Sequence, residues 1–151
     1  MAILTASDAA VGDNFGNSVA IAGDTIVVGA CYKSSGTGAV YVFLTTDGGA
    51  TYDQVAKLTA DDGAEWDYFG WSVAIAGGTI VVGAYSKDSY RGAVYVFRTS
   101  DGGATYGQVA KLTASDAATD DNFGISVAID GGTVVVGAPV SYTHLTLPTK
   151  A

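Results

Sequence analysis

The chain has 151 residues, 21 of them glycine, with 48% hydrophobic and only 15% charged side chains, a composition of close-packed short strands rather than of a disordered tail. A net charge of −8, with seven Lys and Arg thinly scattered, excludes the clustered cations that a nucleic-acid surface needs. The longest apolar runs, such as Thr25 to Ala30, are too short to cross a bilayer as a helix, so a soluble chain without membrane insertion is expected.

The opening residues, Met1 to Ala6, carry neither a basic nor an apolar signal-peptide region. They enter a repeat in mid-unit, because Leu4-Thr5-Ala6 matches Leu58-Thr59-Ala60. Leu4 to Lys57 aligned without gaps on Leu58 to Lys111 gives 39 identities in 54 positions by direct count. Dividing 151 residues by 54 gives about 2.8 units, so a fragment of a longer array is expected, with units 4-57, 58-111 and a partial 112-139.

Each unit holds four strand-like runs. The first is Ser18 to Ala22, closed by the two-residue hairpin signal Gly23-Asp24, with Gly77-Gly78 and Gly131-Gly132 in the other copies. The second, Thr25 to Ala30, is β-branched and nearly continuous, as suits a strand covered on both faces. The third is Ala39 to Phe43, and after Asp47-Gly48-Gly49 the fourth is Tyr52 to Leu58. No segment shows a sustained helical period. Four antiparallel strands at a fixed period predict an all-β fold of four-stranded β-propeller blades, about 2.5 of them, in preference to a β-solenoid, because the hairpins reverse the chain locally.

Every unit carries Phe-Gly followed by Gly-Ala: Phe15-Gly16 with Gly29-Ala30, Phe69-Gly70 with Gly83-Ala84, and Phe123-Gly124 with Gly137-Ala138. These pairs resemble the FG-GAP repeats of the integrin α-subunit propeller and, more closely, their microbial relatives, over residues 1 to about 139. The resemblance implies a propeller of about seven blades, an extracellular or cell-surface setting, and adhesion or ligand binding. Thr45 to Tyr52 and Thr99 to Tyr106 resemble the Asp-box hairpin of sialidases, which implies a structural turn closed by its own Asp.

The family's calcium loop between the first two strands is reduced here to Ala22-Gly23-Asp24-Thr25, which offers at most one carboxylate, so calcium is not expected there. A weaker oxygen set, Asp8 with Asp13, Asp62 with Asp67 and Asp116 with Asp121, stands ahead of each Phe-Gly; turn capping is its expected role, and no metal or other cofactor is assigned.

Function is expected where the copies differ. The loop after the second strand and the loop into the next unit emerge at one end, where Lys33 to Thr37 becomes Lys87 to Arg91 and Val11 to Asn14 becomes Glu65 to Tyr68. There the second unit gathers Trp66, Tyr68, Trp71, Tyr85, Tyr90 and Arg91, residue types enriched at binding hot spots, for a protein or glycan ligand. The competing role for Trp66 and Trp71 is to fill gaps between blades.

Catalysis is not expected. Arg91 and Arg98 are the only arginines, too few for a sialidase-type cluster, Glu65 is the only glutamate, and His144 has no triad partner. Cys31, the only cysteine, is matched by Tyr85 and Pro139, as suits a loop entrance, and a catalytic thiol would also need a nearby base. A purely structural spacer is the remaining alternative. Residues 140-151 break the repeat and resemble translated adapter sequence, or else a capping strand that Pro148 would weaken. Two and a half blades leave apolar sheet faces open, so self-association is expected.

Overall fold

The computed structural model describes residues 1–139 and the backbone of 149–150. Strands β1 (Phe15–Ala22), β2 (Thr25–Ala30), β3 (Ala39–Leu44) and β4 (Asp53–Leu58) form one antiparallel sheet in simple meander order. Strands β5 (Ser72–Ala76), β6 (Thr79–Ala84), β7 (Ala93–Arg98) and β8 (Gly107–Leu112) repeat it. A third sheet begins with β9 (Ser126–Asp130) and β10 (Thr133–Gly137), and the two residues of β11 (Thr149–Lys150) pair with Val134 and Thr133 on the far side of β10. The other expectations for 140-151 lie outside the described residues. The sheets are the blades of an incomplete β-propeller.

The hairpins fall where the glycines place them: Ala22 pairs with Thr25, Ala76 with Thr79 and Asp130 with Thr133. β1 starts three residues earlier than its run of strand formers, because a register shift between Phe15 and Ser18 lets Phe15 pair with Ala30. Asp47 closes the turn between β3 and β4, accepting from the Thr51 amide (2.9 Å), the Thr51 hydroxyl (2.6 Å) and the Thr45 hydroxyl (2.8 Å). Asp101 repeats all three bonds with Thr105 and Thr99.

These bonds, the Thr51 and Thr105 hydroxyls first, hold both carboxyls down to about 2. The folded chain therefore binds fewer protons than the unfolded chain, whose aspartates titrate near 3.8. Their stabilisation is complete above that value and disappears as pH falls through about 2. Urea midpoints measured from about pH 5 to about pH 2 should fall, and the combined Asp47→Asn and Asp101→Asn variant should show a flatter profile. Equal slopes would show that the turns do not depend on ionised aspartate.

Blade faces interlock through one repeated interface. Val27, Val40 and Val42 of the first blade pack against Phe69, Ile80, Val82, Tyr95 and Phe97 of the second, and Val81 and Val94 meet Phe123, Val134 and Val136 of the third. Each such side chain contributes roughly 1.5–3 kcal/mol when buried, so the stability lies largely between blades. Both faces of β2 are used, with Val27 and Val28 buried on opposite sides.

The Phe-Gly and Gly-Ala pairs stitch this interface. The Gly70 amide donates to the Gly83 carbonyl of its own blade (3.1 Å), while the Gly70 carbonyl turns to the preceding blade and accepts from the Ser18 hydroxyl (2.8 Å). That carbonyl lies against Gly29, where any Cβ would collide with it. The next junction is the same: Gly124 donates to Gly137 (3.0 Å), and its carbonyl accepts from Ser72 (2.8 Å) and lies against Gly83. Phe69 and Phe123 bridge in parallel to Gly38 and Gly92 of the preceding blade.

Candidate functional site

The variable end is built by two loops that dock on each other across each junction. After β2 and after β6 the chain makes four-residue turns, α1 (Lys33–Gly36) and α2 (Lys87–Tyr90), whose inner residues are left-handed: Ser34 (φ 52°, ψ 59°) and Ser35 (φ 56°, ψ 39°), then Asp88 (φ 53°, ψ 57°) and Ser89 (φ 59°, ψ 47°). The loop leading into the second blade hangs on α1, with the Trp66 amide donating to the Ser35 carbonyl (3.1 Å) and the Tyr68 amide to the Gly36 carbonyl (2.8 Å). Asp120 and Asn122 hang on Ser89 and Tyr90 of α2 in the same way (3.4 and 2.7 Å).

Beneath these turns sits a lysine in each complete unit. The Lys33 ammonium donates to the Asp13 carboxylate (2.9 Å) and to the Asp8 carbonyl, while the Asp8 carboxylate accepts from Tyr41 (2.7 Å) and Lys57 (2.6 Å). The second unit repeats this with Lys87, Asp67, Asp62, Tyr95 and Lys111. Lys57, then Tyr41, pull the Asp8 carboxyl down to about 2. At Asp62 burial works upward, but the bonds from Lys111 and Tyr95 outweigh it and the shift is downward. Asp13, Asp67 and Asp121 each also cap an amide three residues back, on Ala10, Ala64 and Ala118 (2.9, 2.9 and 2.8 Å). Asp116 is exposed. Asp8 and Asp62 thus have both carboxylate oxygens engaged by a phenol and an ammonium group, while Asp13 and Asp67 each use one oxygen for a lysine and an amide.

Above the lysines the rings converge. Trp66, Tyr68, Tyr85 and Tyr90 follow one another at centroid steps of 6.4, 5.8 and 6.0 Å, with Tyr68 and Tyr85 stacked at 20°. Trp71 braces the middle edge-on to Tyr85 (4.7 Å), and Tyr32 stands edge-on to Tyr68 (5.2 Å). Trp66 is 57% exposed, Tyr90 42% and Tyr32 41%, while Tyr68, Tyr85 and Trp71 are half-buried. Burial, then the neighbouring phenols, push Tyr68 and Tyr85 above the ordinary phenol range, so both stay neutral donors at neutral pH. Arg91 is exposed and, among the described residues, donates only to the Asp88 carbonyl of its own turn (3.4 Å).

The five aromatic candidates therefore come together; Trp66 is the most exposed of them, although one edge of its ring lies against Gly36 of the preceding blade, and Trp71 is half-buried against Tyr85. Tyr32 was not anticipated. Its signal was present, since position 32 is Tyr where the next unit has Ser86.

The backbone under these rings is left-handed in the other units as well, with Asp120 and Asn122 in the third, but the residues it carries differ. Trp66 (φ 69°), Tyr68 (φ 57°) and Tyr90 (φ 65°) are all left-handed, at positions where the first unit has Gly12, Asn14 and Gly36. Glycine and asparagine accept that conformation readily, whereas a bulky side chain pays roughly 1–2 kcal/mol for it. The second unit thus holds three aromatic rings on backbone that the first unit fills with its most tolerant residues.

Comparisons with known proteins agree with this architecture. A search of curated proteins returns no match. Among solved structures, the chain is similar to the Saccharomyces cerevisiae protein Sqt1, with a TM-score of 0.50 and 11% identity over 92% of this chain and 36% of that one, a likeness that speaks to fold alone. This chain spans only about a third of the yeast protein. It also aligns with the computationally designed Ika4 protein at a TM-score of 0.44 and 13% identity, over 99% of each chain. The family profile of the FG-GAP repeat matches residues 1–43, 52–97 and 106–144, so that the Phe-Gly and Gly-Ala contacts between blades have their counterpart in a shared sequence pattern, and the chain belongs to the FG-GAP repeat family.

Proposed function

We propose that the chain is a non-catalytic binding module of an extracellular or cell-surface protein, recognising a protein or glycan through the aromatic end of its second blade. The observation that carries this reading is the set of three left-handed aromatic residues, Trp66, Tyr68 and Tyr90. Strained backbone of this kind persists where the surrounding structure enforces it, and it concentrates at binding sites. A spacer gains nothing from it, and the first unit shows that the same loops close with Gly12, Asn14 and Gly36.

The first unit also supplies the control. Trp66→Gly with Tyr90→Gly restores the residues of the preceding repeat; relief of strain offsets lost ring contacts, so the melting temperature should stay within a few degrees. On an array of glycans and matrix proteins, the wild-type chain should show saturable capture that this variant loses. An array without any saturable capture would leave the spacer as the correct reading. A large fall in melting temperature for the variant would make these rings packing elements.

Self-association belongs to the same proposal. Val19 and Ile21 on β1 are 65% and 64% exposed, whereas their equivalents Val73 and Ile75 pack against the first blade. An apolar face with a ready-made mating pattern favours association with another blade. Light scattering should show mass rising with concentration, and Val19→Lys with Ile21→Lys should abolish the rise. A concentration-independent monomer would refute it.

A further inference from the structure

The aromatic surface is elongated, and its shape and surroundings narrow the ligand, given the binding reading above. The ring path starts at Trp66, tied to Ser35 at the junction of the first two blades, and ends at Tyr90, whose carbonyl accepts from Asn122 at the next junction. The two end rings are exposed and the middle ones half-buried, so the strip spans a whole blade and offers stacking faces at separated points. A compact ligand would use one end only. A linear chain with repeated faces can use both.

The two exposed end rings have exposed polar residues beside them along the chain, Glu65 before Trp66 and Ser89 and Arg91 around Tyr90, and exposed Ser35 is bonded to Trp66 through the backbone. Aromatic faces edged by hydroxyl, carboxylate and guanidinium groups match a pyranose ring, which has an apolar C–H face and a rim of hydroxyls. The exposed residues directly beside the two end rings, Glu65, Ser89 and Arg91, offer no branched aliphatic side chain to a protein ligand's apolar anchors. Charge selects further. A chain of net charge −8, with Glu65 and Asp88 against Arg91 beside the rings, repels sulfated or uronic-acid polymers. The mutual packing of Tyr68, Tyr85 and Trp71 holds the surface in place before binding, which lowers the entropic cost of ordering it.

We propose that the strip from Trp66 to Tyr90 binds a linear, uncharged polysaccharide, with Trp66 and Tyr90 stacking on sugar rings at its two ends. Binding should then strengthen with oligosaccharide length until the strip is spanned, because the second stacking contact becomes intramolecular. The test is tryptophan fluorescence and calorimetric titration of the full chain with cello-, chito- and manno-oligosaccharides from monosaccharide to hexasaccharide, with heparin as the polyanionic control. The expected result is saturable binding to at least one uncharged series, tighter for longer members, with affinity reduced roughly tenfold or more in each of Trp66→Gly and Tyr90→Gly. Absence of binding to every uncharged series overturns the proposal, as does preference for heparin. If those titrations fail while a purified protein is captured through Trp66, the sugar assignment falls and the binding-module reading stands; if neither binds, both fall.

Discussion

Gly92→Ala should be among the most damaging single-methyl changes in this protein, lowering stability by about 2–4 kcal/mol. Two independent costs meet there. Gly92 has φ +84°, a conformation that costs an L side chain roughly 1–2 kcal/mol, and the added Cβ would collide with the backbone of Phe123 in the following blade. Backbone cannot swing aside as a flexible side chain can, so the junction must open. Gly83→Ala carries only the second cost, against the Gly124 carbonyl and the Ser72 hydroxyl, and should lose about 1–3 kcal/mol. Gly107→Ala is the control within the same blade, since an added Cβ would meet nothing within 4 Å and its φ lies outside the left-handed region; it should be neutral or gain up to about 1 kcal/mol. Urea unfolding of the three variants checks the order. Equal midpoints would mean that the close approach of the blades is not what these glycines serve.

That experiment also marks what the sequence could and could not show. The period, the four strands and the blade architecture were legible because β-branched runs alternate with glycine turns at one spacing, and the Phe-Gly and Gly-Ala pairs recur on it. Their reason was not legible. Gly83 is glycine because the carbonyl of Gly124, 41 residues further on, lies against it, and a contact between blades leaves no local pattern. The turns α1 and α2 were hidden for another cause: two left-handed residues in a row have no apolar period, and serine and aspartate at those positions read simply as loop. The recurrence of Lys33 as Lys87 and of Lys57 as Lys111 was visible, yet their pairing with the aspartates became clear only from the distances. At the aromatic end, divergence between the copies pointed to Trp66, Tyr68, Trp71, Tyr85 and Tyr90 correctly as neighbours. Tyr32 escaped because it belongs to the preceding unit and joins them across the junction.

Lys87→Met should destabilise the chain by about 3–5 kcal/mol, although a surface salt bridge lost elsewhere costs little. The difference is burial. Lys87 and Asp67 are each only 6% exposed, and the Lys87 ammonium lies 2.9 Å from the carboxylate. Burial alone would lower the ammonium's affinity for its proton, but the Asp67 bond and the Asp67 and Asp62 charges outweigh it and shift it upward. Removing the cation leaves a buried carboxylate without its counter-charge, the costly case. Lys57 makes a shorter contact to Asp8, 2.6 Å, but is exposed, so Lys57→Met should cost no more than about 1 kcal/mol. Asp67→Asn added to Lys87→Met removes the orphaned charge while an amide oxygen can still accept from Ala64, so the double variant should recover a large part of the loss. If the double variant is no better than the single one, the stranded charge is not the cause. The functional consequence follows from position. Lys87 is the first residue of α2, the left-handed turn that carries Tyr90, and its two bonds anchor that turn to the loop leading to Trp66. Loss of the lysine should therefore loosen both ends of the aromatic strip at once, which for the binding role proposed above means weaker ligand capture by Lys87→Met even under conditions where the blades remain folded.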